Sequence, residues 1–429
     1  MLNESALQLA VRAGIAFEAK IAKETHFDRK NYFYCDLPKN YQTSQYDRPF
    51  CTGGGVQLSN GSFIRLNRIH IEEDAGKTMH TNEGSLVDLN RTGVPLIESV
   101  TEADLCSPED AYEYLTRFRE VLQFAGVSSA DMEKGELRCD VNISVRPEGE
   151  EGLRTKVEVK NLNSFRHVQS SLLHEIERQI NAYEGEGEDA IQQETRLYDP
   201  ELEETRMMRV KEGESDYRYF PCPDLPALTI KEELIQEQRQ LLPELPAARR
   251  ARYALELGLS EYDAGVLTGS RSTSDYFEEA ASACGDPKAA SNWISNELLR
   301  ALGDDEISAS SLAELKLPPQ GLAEIIKKTS AGELHSKAAK EVLRECLKNG
   351  LSVEEAIKEL GFDEVIDTTA LEAWCRDALS ANPEVAEEVR EGKDKALGAC
   401  IGPVMKAASG KADPKQIREI LIALIEAES

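Results

Sequence analysis

An acidic run in the first part of the chain has residue types that could bind a metal and a phosphate. It reads His70-Ile71-Glu72-Glu73-Asp74-Ala75-Gly76-Lys77, with three adjacent acids before a glycine and a lysine. Mg²⁺ prefers hard oxygen ligands and usually keeps water and phosphate in its shell. The run could therefore hold Mg²⁺ and orient a phosphate, whereas composition alone favours the alternative of an acidic turn. It is not a Walker P-loop, because the glycine-rich lead-in is missing.

A second set of polar residues follows from alternation in two predicted strands. Every second residue is polar from Arg138 to Arg146, and the segment from Thr155 to Lys160 repeats the pattern. A period of two puts these polar side chains on one face of a sheet. The members that could act together are Asp140, Asn142, Lys156, Glu158 and Lys160. Mixed carboxylates and lysines can serve metal and phosphate together, whereas a salt-bridged outer sheet face is the alternative.

Two further segments have residue types that could bind a phosphate, a carboxylate or a base. In the run from Val87 to Glu98, Arg91 could bind a phosphate or a carboxylate with two hydrogen bonds. Gly93 and Pro95 favour a rigid turn beside it. The segment from Asp216 to Phe220 has aromatic residues around an arginine, which suits stacking on a base, and a buried structural cluster is an equal alternative.

The elements that must position these residues are predicted to form an α+β domain. Strands are expected from Ser62 to Ile71 and from Ser85 to Asn90, in sheets that are mainly antiparallel. Helices are predicted from Ser107 to Phe124 and from Ser164 to Tyr183, the first capped by its serine. Beyond Leu241 the helical period replaces the strand signals. The predicted domains are residues 1–240, an all-helical domain at 241–360 and a small helical tail at 361–429.

Composition narrows the class of protein. A chain of 429 residues with nine scattered cysteines, none at a zinc spacing, fits a cytoplasmic protein with reduced thiols. No apolar run approaches the roughly 18–20 residues that cross a bilayer, so no membrane contact is expected. The net charge of −28 argues against a nucleic-acid partner, but binding needs only a local basic surface.

The tail offers such a surface. Its lysines alternate with glycines that would let the backbone approach a phosphate. The candidates for nucleic-acid contact are Lys393, Lys395, Lys406 and Lys411. Acidic residues are interleaved, so a solvated helical hairpin is the alternative interpretation.

The run from Asp88 to Glu98 resembles the signature of the B subunit of Asp/Glu-tRNA amidotransferase. The resemblance continues over nearly the whole chain, in the order expected for that family. The other matching segments are Phe27 to Tyr34, His70 to Lys77, Leu137 to Ser144, Lys156 to Phe165, Glu194 to Arg196, Met208 to Pro221, and a tail run from residue 392 to Lys411.

The resemblance implies a reaction and its partners. A member of this family uses ATP and Mg²⁺ to convert the side-chain carboxylate of Glu-tRNA(Gln) or Asp-tRNA(Asn) to an acyl phosphate, which ammonia then converts to the amide. A glutamine-hydrolysing amidase, the A subunit, supplies the ammonia, and a small C subunit clasps the pair. The implied fold is a cradle-shaped catalytic domain, a helical domain and a tail that grips the tRNA.

The resemblance also implies site residues. Glu73 matches a family metal ligand, and Asp140 is expected beside it as the second ligand. Glu158 and Lys160 are candidate catalytic residues. The nucleotide or phosphate contacts are expected from His70, Arg91, Asn142 and Lys156. Family members carry an N-terminal segment before the position of Met1, with a strand that supplies further metal ligands. A copy without that segment could be a non-catalytic, tRNA-binding adaptor, which is the alternative function.

Overall fold

The computed structural model divides the chain into two compact units, Met1–Pro246 and Ala247–Ser429. It describes residues 2–81, 83–187, 189–210, 217–302, 307, 309, 311–363, 368–390, 393–408 and 412–427. Strands of the described residues all lie in the first unit, and the second unit is helical there. The predicted α+β class is confirmed. The three-domain division stays an interpretation.

Strands in the first unit are numbered here in chain order. They are β1 (Lys20–Ile21), β2 (Glu24–Thr25), β3 (Asp28–Asn31), β4 (Tyr41–Ser44), β5 (Cys51–Thr52), β6 (Gly55–Gln57), β7 (Phe63–Glu73), β8 (Lys77–Thr81), β9 (Gly84–Asp88), β10 (Pro95–Thr101), β11 (Cys139–Ile143), β12 (Val157–Leu162), β13 (Glu194–Asp199), β14 (Glu204–Val210), β15 (Phe220–Pro221) and β16 (Leu228–Thr229).

Two sheets carry most of the predicted site residues. The first has the order β1-β5-β7-β10, with β6 paired to the other part of β7, and all of its pairs are antiparallel. The second has the order β11-β12-β13-β14. Three smaller sheets are β15-β3-β4, β16-β2 and β8-β9. Strand β4 packs against β7, which brings the small β15-β3-β4 sheet next to the first sheet.

One strand pair is an exception in sheets that are mainly antiparallel, as predicted. Strands β12 and β13 run parallel, while β11–β12 and β13–β14 are antiparallel. Parallel neighbours need a long crossover connection, and helix α3 (Phe165–Glu186) provides it between these two strands. Val157 and Val159 of β12 are fully buried, so the polar residues between them lie on the other face, as the alternation predicts.

Two helices of the first unit begin after serine caps. Helix α2 (Pro108–Phe124) starts after Ser107, whose hydroxyl accepts a hydrogen bond from the Asp110 amide, and α3 starts after Ser164 in the same way. The two helices pack together over one core that also includes β7 and β12. Helix α1 (Glu4–Ala16) packs against α4 (Glu232–Leu241) at the end of this unit.

Twelve further helices occupy the rest of the described chain. They are α5 (Pro246–Leu255), α6 (Glu261–Leu267), α7 (Arg271–Cys284), α8 (Pro287–Trp293), α9 (Leu299–Ala301), α10 (Pro319–Ser330), α11 (Ser336–Asn349), α12 (Val353–Glu359), α13 (Thr368–Ala381), α14 (Pro383–Arg390), α15 (Gly398–Ala407) and α16 (Pro414–Ala427). Their buried apolar residues form two separate clusters, one from Tyr253 to Ala356 and one from Leu371 to Ile425.

Candidate functional site

Register between β7 and β10 brings three ligand-type side chains together. His70 lies directly opposite Glu98 in this antiparallel pair, and Glu72 lies two residues along on the same face. The His70 Nε2 atom is 3.7 Å from Glu72 Oε2 and 3.9 Å from Glu98 Oε2. Ligand atoms of the three residues all lie within 4.8 Å of one another, which is close enough to share one metal ion. We call this group the β7–β10 carboxylate pair with His70.

Burial makes this group electrostatically unusual. The side chains of His70 and Glu72 are 4% and 5% exposed, whereas Glu98 is 46% exposed and opens the group to solvent. Burial alone would raise the pKa of Glu72, but the interaction with His70 and smaller contributions from Lys30 and Ser44 lower that pKa overall. The Ser44 hydroxyl donates to Glu72 Oε2 over 3.1 Å. The buried Nδ1 atom of His70 has no hydrogen-bond partner among the described residues.

Glu73 has a different set of partners from its neighbour. Its carboxylate accepts a hydrogen bond of 2.8 Å from the Thr43 amide and pairs with Lys39, and its carbonyl accepts one from Gln42. Strand alternation puts Glu73 on the opposite face from His70 and Glu72. The carboxylate is therefore occupied in joining β7 to the β4 region. It is not among the groups of three side chains in the described residues that could share a metal.

Asp74 connects Arg91 to a second arginine that the sequence did not single out. Its buried carboxylate is 3.0 Å from Arg91 Nη2 and 2.6 Å from Arg138 Nη2. Arg91 also donates to the Gly135 carbonyl over 2.7 Å. Two guanidinium groups on one carboxylate leave a net positive charge, and both arginines keep solvent-exposed surface. The arrangement fits a site for an anionic group.

The second predicted cluster is an ion-pair group on β11 and β12. Lys160 Nζ lies 2.5 Å from Asp140 Oδ2 and 3.7 Å from Glu158 Oε1, and the Thr195 hydroxyl donates to Glu158 over 2.9 Å. Burial lowers the pKa of Lys160, but the charges of Asp140 and Glu158 outweigh it and raise that pKa. The lysine therefore stays cationic, with one oxygen of the half-exposed Asp140 carboxylate as its partner.

Asn142 and Lys156 lie beside this ion-pair group. Asn142 is opposite Glu158 in the β11–β12 register, and its side chain is exposed. Lys156 is exposed and precedes β12, so it lies outside the strand that the sequence predicted for it. The polar face of these strands is thus present as predicted, with Asp140, Glu158 and Lys160 in contact and the other two residues at its border.

Among the described residues, one more group of three could share a metal. His26 Nε2 is 3.3 Å from Asp28 Oδ1 and 3.1 Å from Asp47 Oδ1. Asp28 is buried and accepts a hydrogen bond of 3.0 Å from the Tyr46 amide, so it already fixes the turn after β4. This arrangement is that of a histidine joining two aspartates, and we assign it a structural role.

Glu72 and Glu98 are the residues that sequence reasoning passed over. Both lie inside motifs that the sequence singles out, whereas the family resemblance points to Glu73 as the metal ligand. A period of two along β7 puts His70 and Glu72 on one face and Glu73 on the other. Glu98 could not be found in this way, because its position depends on the register of β10 against β7.

Tail lysines are exposed where the structure describes them, and we call the segment from Lys395 to Lys406 the tail stripe. Lys395 precedes α15 and Lys406 lies near its end, with Gly398 and Gly402 between them at helical spacing. Both lysines are exposed, and open space surrounds both glycines, so the helix backbone is accessible between the charges. Lys393 is also exposed and precedes this stripe. Lys411 lies outside the described residues.

Known families match both units of the chain. A family described as "GatB/GatE catalytic domain" matches residues 1–236, and one described as "GatB domain" matches residues 275–425. The B subunit of the aspartyl/glutamyl-tRNA(Asn/Gln) amidotransferase of Bacillus velezensis is 45% identical over 430 residues, which cover 99% of this chain and 89% of that relative. The chain belongs to the family of amidotransferase B subunits. This confirms the resemblance found in the sequence.

Other members of this family are equally similar. The B subunit of Leptospira biflexa is 45% identical over 432 residues, covering 99% of this chain and 88% of its own length. That of Enterococcus faecalis is 45% identical over 425 residues, covering 98% and 88%. The chain is thus one component of a tRNA-dependent amidotransferase, and such a component has partner subunits. No helix in the described residues is long and apolar enough to span a membrane.

Proposed function

We propose that this protein uses ATP to activate the side-chain carboxylate of glutamate or aspartate esterified to tRNA. The γ-phosphoryl group passes to a carboxylate oxygen, which gives an acyl phosphate and ADP. Ammonia then attacks the acyl carbon, phosphate leaves and the amide forms. The observation that carries this proposal is a set of three groups in the first unit of an amidotransferase-family chain: the carboxylates with His70 on β7 and β10, Asp74 with its two arginines, and Lys160 with its two acids.

The residues that fit a Mg²⁺ ion best are Glu72 and Glu98. Their carboxylates converge, Glu72 is ionised in a buried position, and the exposed side at Glu98 leaves room for water and phosphate ligands. His70 adds a buried nitrogen at the same point and orients Glu72. When bound, Mg²⁺ would neutralise the charge on the transferred phosphoryl group. Glu73 and Asp140 stay predictions as ligands, but each carboxylate already has a lysine partner.

Cationic residues around this point can bind and orient the phosphates. Lys160 stays protonated between Asp140 and Glu158, and it can exchange one of these partners for a phosphate oxygen. Arg91 and Arg138 share Asp74, so their spacing is fixed before an anion arrives. Asn142 and Lys156 at the border of the same face can add further hydrogen bonds.

Partners follow from the family and remain proposals. We expect a glutamine-hydrolysing amidase to deliver ammonia, a small C subunit to join the pair, and the stripe at Lys395 and Lys406 to contact tRNA. Lys393 borders that stripe, and Lys411 is expected to extend it. The cytoplasmic location predicted from the cysteine pattern is part of the same proposal.

Amide formation on tRNA tests the proposal. The full chain is mixed with the amidase and C subunits of its own organism, glutamine, ATP, Mg²⁺ and either Glu-tRNA(Gln) or Asp-tRNA(Asn). We expect amide to form on at least one of the two tRNAs, with ADP produced in step and no product when ATP is omitted. Binding of tRNA without ATP-dependent amide formation would contradict the proposal and favour the adaptor function.

A further inference from the structure

A continuous row of five tyrosines lies beside the small β15-β3-β4 sheet, in the segments that flank its strands. Neighbouring ring centroids are 5.9 Å apart for Tyr34 and Tyr32, 6.1 Å for Tyr32 and Tyr217, 6.2 Å for Tyr217 and Tyr219, and 4.4 Å for Tyr219 and Tyr46. The last pair is stacked and the others meet edge to face. We call these five residues the tyrosine row.

Both ends of the tyrosine row face solvent. Tyr34 is 57% exposed and Tyr46 is 42% exposed, while the three rings between them are half-buried. Phe33 is also exposed beside Tyr34, and the Arg218 guanidinium lies 6.0 Å from its ring centroid. Exposed aromatic rings that cluster in this way are characteristic of a binding surface.

The row has a fixed backbone frame. The Asn31 side-chain amide at the end of β3 donates to the carbonyl of Arg218 over 2.8 Å and to that of Tyr217 over 3.4 Å. Arg218 has a positive φ of 44°, so the chain turns sharply between Tyr217 and Tyr219. The amide of Asn31 therefore fixes the turn that places both tyrosines next to Tyr32. The rings are positioned before any ligand binds.

The middle of the row borders the candidate active site. The Tyr32 hydroxyl donates to Gln42 Oε1 over 3.3 Å, and the Gln42 side-chain amide donates to the Glu73 carbonyl at the end of β7 over 2.8 Å. Lys30 Nζ lies 4.9 Å from the centroid of Tyr217. The row is thus linked through Gln42 to the end of β7, the strand that carries Glu72.

We infer that the tyrosine row binds the unpaired nucleotides at the 3′ end of the tRNA substrate by stacking. This inference rests on the proposed function, in which the reacting amino acid is attached to the terminal nucleotide and must reach Glu72. Aromatic rings with neighbouring cations bind single-stranded nucleic acid because every base has a face that can stack. Five rings in a row extend farther than one nucleobase, which favours several consecutive nucleotides over a single nucleotide.

The adenine of ATP can also stack on aromatic rings, so the test must distinguish ATP from the 3′ nucleotides of the tRNA. The full chain is titrated with three probes. They are a glutamine tRNA, the same tRNA without its unpaired 3′ nucleotides, and ATP. The wild type should bind the intact tRNA more tightly than the shortened one. Its affinity for ATP is measured by equilibrium dialysis in the presence of Mg²⁺.

Substitutions at the exposed ends of the row give the decisive comparison. Tyr34→Ala and Tyr46→Ala should each weaken binding of the intact tRNA by roughly five-fold or more, as expected for the loss of one stacked base. Neither change should affect the shortened tRNA or ATP. Tyr34→Phe and Tyr46→Phe keep the ring and should retain wild-type affinity. Tyr112→Ala is the matched control, because Tyr112 on α2 is 44% exposed and lies outside the row.

Several outcomes would overturn the inference. Equal weakening for the intact and the shortened tRNA would show that the rings do not contact the 3′ end. Loss of ATP binding with unchanged tRNA binding would assign the rings to the adenine of ATP. In both cases the proposed function would stand. A wild-type chain that binds neither tRNA would instead remove the proposed function and this inference together.

Discussion

Two buried glutamates in the same unit have opposite surroundings. Glu175 on α3 is fully buried, lies 2.9 Å from Arg178 and 3.1 Å from Arg196, and accepts a hydrogen bond of 3.1 Å from Gln179. Glu72 on β7 is nearly as buried. It lies beside a serine hydroxyl and His70, with a weaker contribution from the charge of Lys30, and a second carboxylate, Glu98, lies beside that histidine. The first charge is balanced by two guanidinium groups, and the second is next to another acid.

This difference separates a structural charge from one available to a ligand. A buried carboxylate that is paired on several sides fixes the elements around it, here α3, β13 and β14. Two carboxylates that converge without a full set of cations favour the arrival of a positive ion. The predictions below test this contrast, from the largest expected effect to the smallest.

Glu98→Gln should lower ATP-dependent amide formation by at least about 100-fold, because a bound cation contributes several kcal/mol of charge stabilisation. Glu98 is half exposed, so the substitution should leave the thermal unfolding temperature nearly unchanged. The measurements are single-turnover amide formation and a thermal melt. Glu102→Gln at the end of the same strand is the control, and equal activity in the two variants would contradict the assignment of Glu98.

Glu175→Gln should lower the free energy of unfolding by about 2–3 kcal/mol. Breaking a fully buried ion pair costs more, about 3–5 kcal/mol, but both arginines here keep some contact with solvent. Urea unfolding gives the measurement, and Glu177→Gln on the exposed side of the same helix is the control. A loss no larger than that of the control would mean that Glu175 is not a structural charge.

The same variant has a defined pH dependence. Burial raises the pKa of Glu175, but Arg178, Thr205 and Gln179 lower it overall. A carboxylate whose folded-state pKa is lowered stabilises the protein above its unfolded pKa of about 4.3, and this stabilisation is lost as the pH falls through the folded-state pKa. The stability difference between wild type and Glu175→Gln should therefore shrink in acid. A difference that grows as the pH falls would contradict the stated pKa direction.

Lys160→Met should lower amide formation by about 10- to 100-fold, because Asp140 and Glu158 would then repel the phosphates without a cation between them. The rate at saturating ATP and tRNA measures this effect. Lys160→Arg keeps the charge and should recover part of the rate. If Lys160→Met reacts at the wild-type rate, the ion-pair group of β11 and β12 is an outer sheet face with no part in the reaction.

The sequence alone predicted the features that depend on residues close together in the chain. Alternation placed Asp140 and Glu158 on one face, and Ser107 and Ser164 marked the starts of two helices. It did not provide the parallel pairing of β12 with β13 or the position of Glu98 beside His70, since both depend on registers between distant segments. The tyrosine row likewise joins residues separated by most of the first unit.

Lys395→Gln combined with Lys406→Gln should reduce the salt dependence of tRNA binding. The slope of the logarithm of affinity against the logarithm of salt concentration should fall by about 1 for each lysine that contacts a phosphate. Lys337→Gln, on an exposed part of α11, is the control. An unchanged slope in the double variant would mean that the lysines of the tail stripe are ordinary surface charges that do not contact tRNA.

Glu73→Gln should have the smallest effect on the reaction. Its carboxylate joins the Thr43 amide and Lys39, so its loss should reduce the stability by about 1 kcal/mol while amide formation stays within about three-fold of wild type. Both quantities are measured as for Glu98→Gln. A loss of activity as large as that of Glu98→Gln would restore the metal-ligand role that the sequence predicted for Glu73.

Binding of Mn²⁺, which prefers the same oxygen ligands as Mg²⁺, tests the central claim most directly. Electron paramagnetic resonance of free Mn²⁺ is recorded while the full chain is titrated in the presence of ATP. We expect a bound ion in the wild type and in the Glu73→Gln and Asp140→Asn variants. Glu72→Gln and Glu98→Gln should release it. Release by Glu73→Gln or Asp140→Asn, with binding retained when Glu72 or Glu98 is changed, would contradict the account.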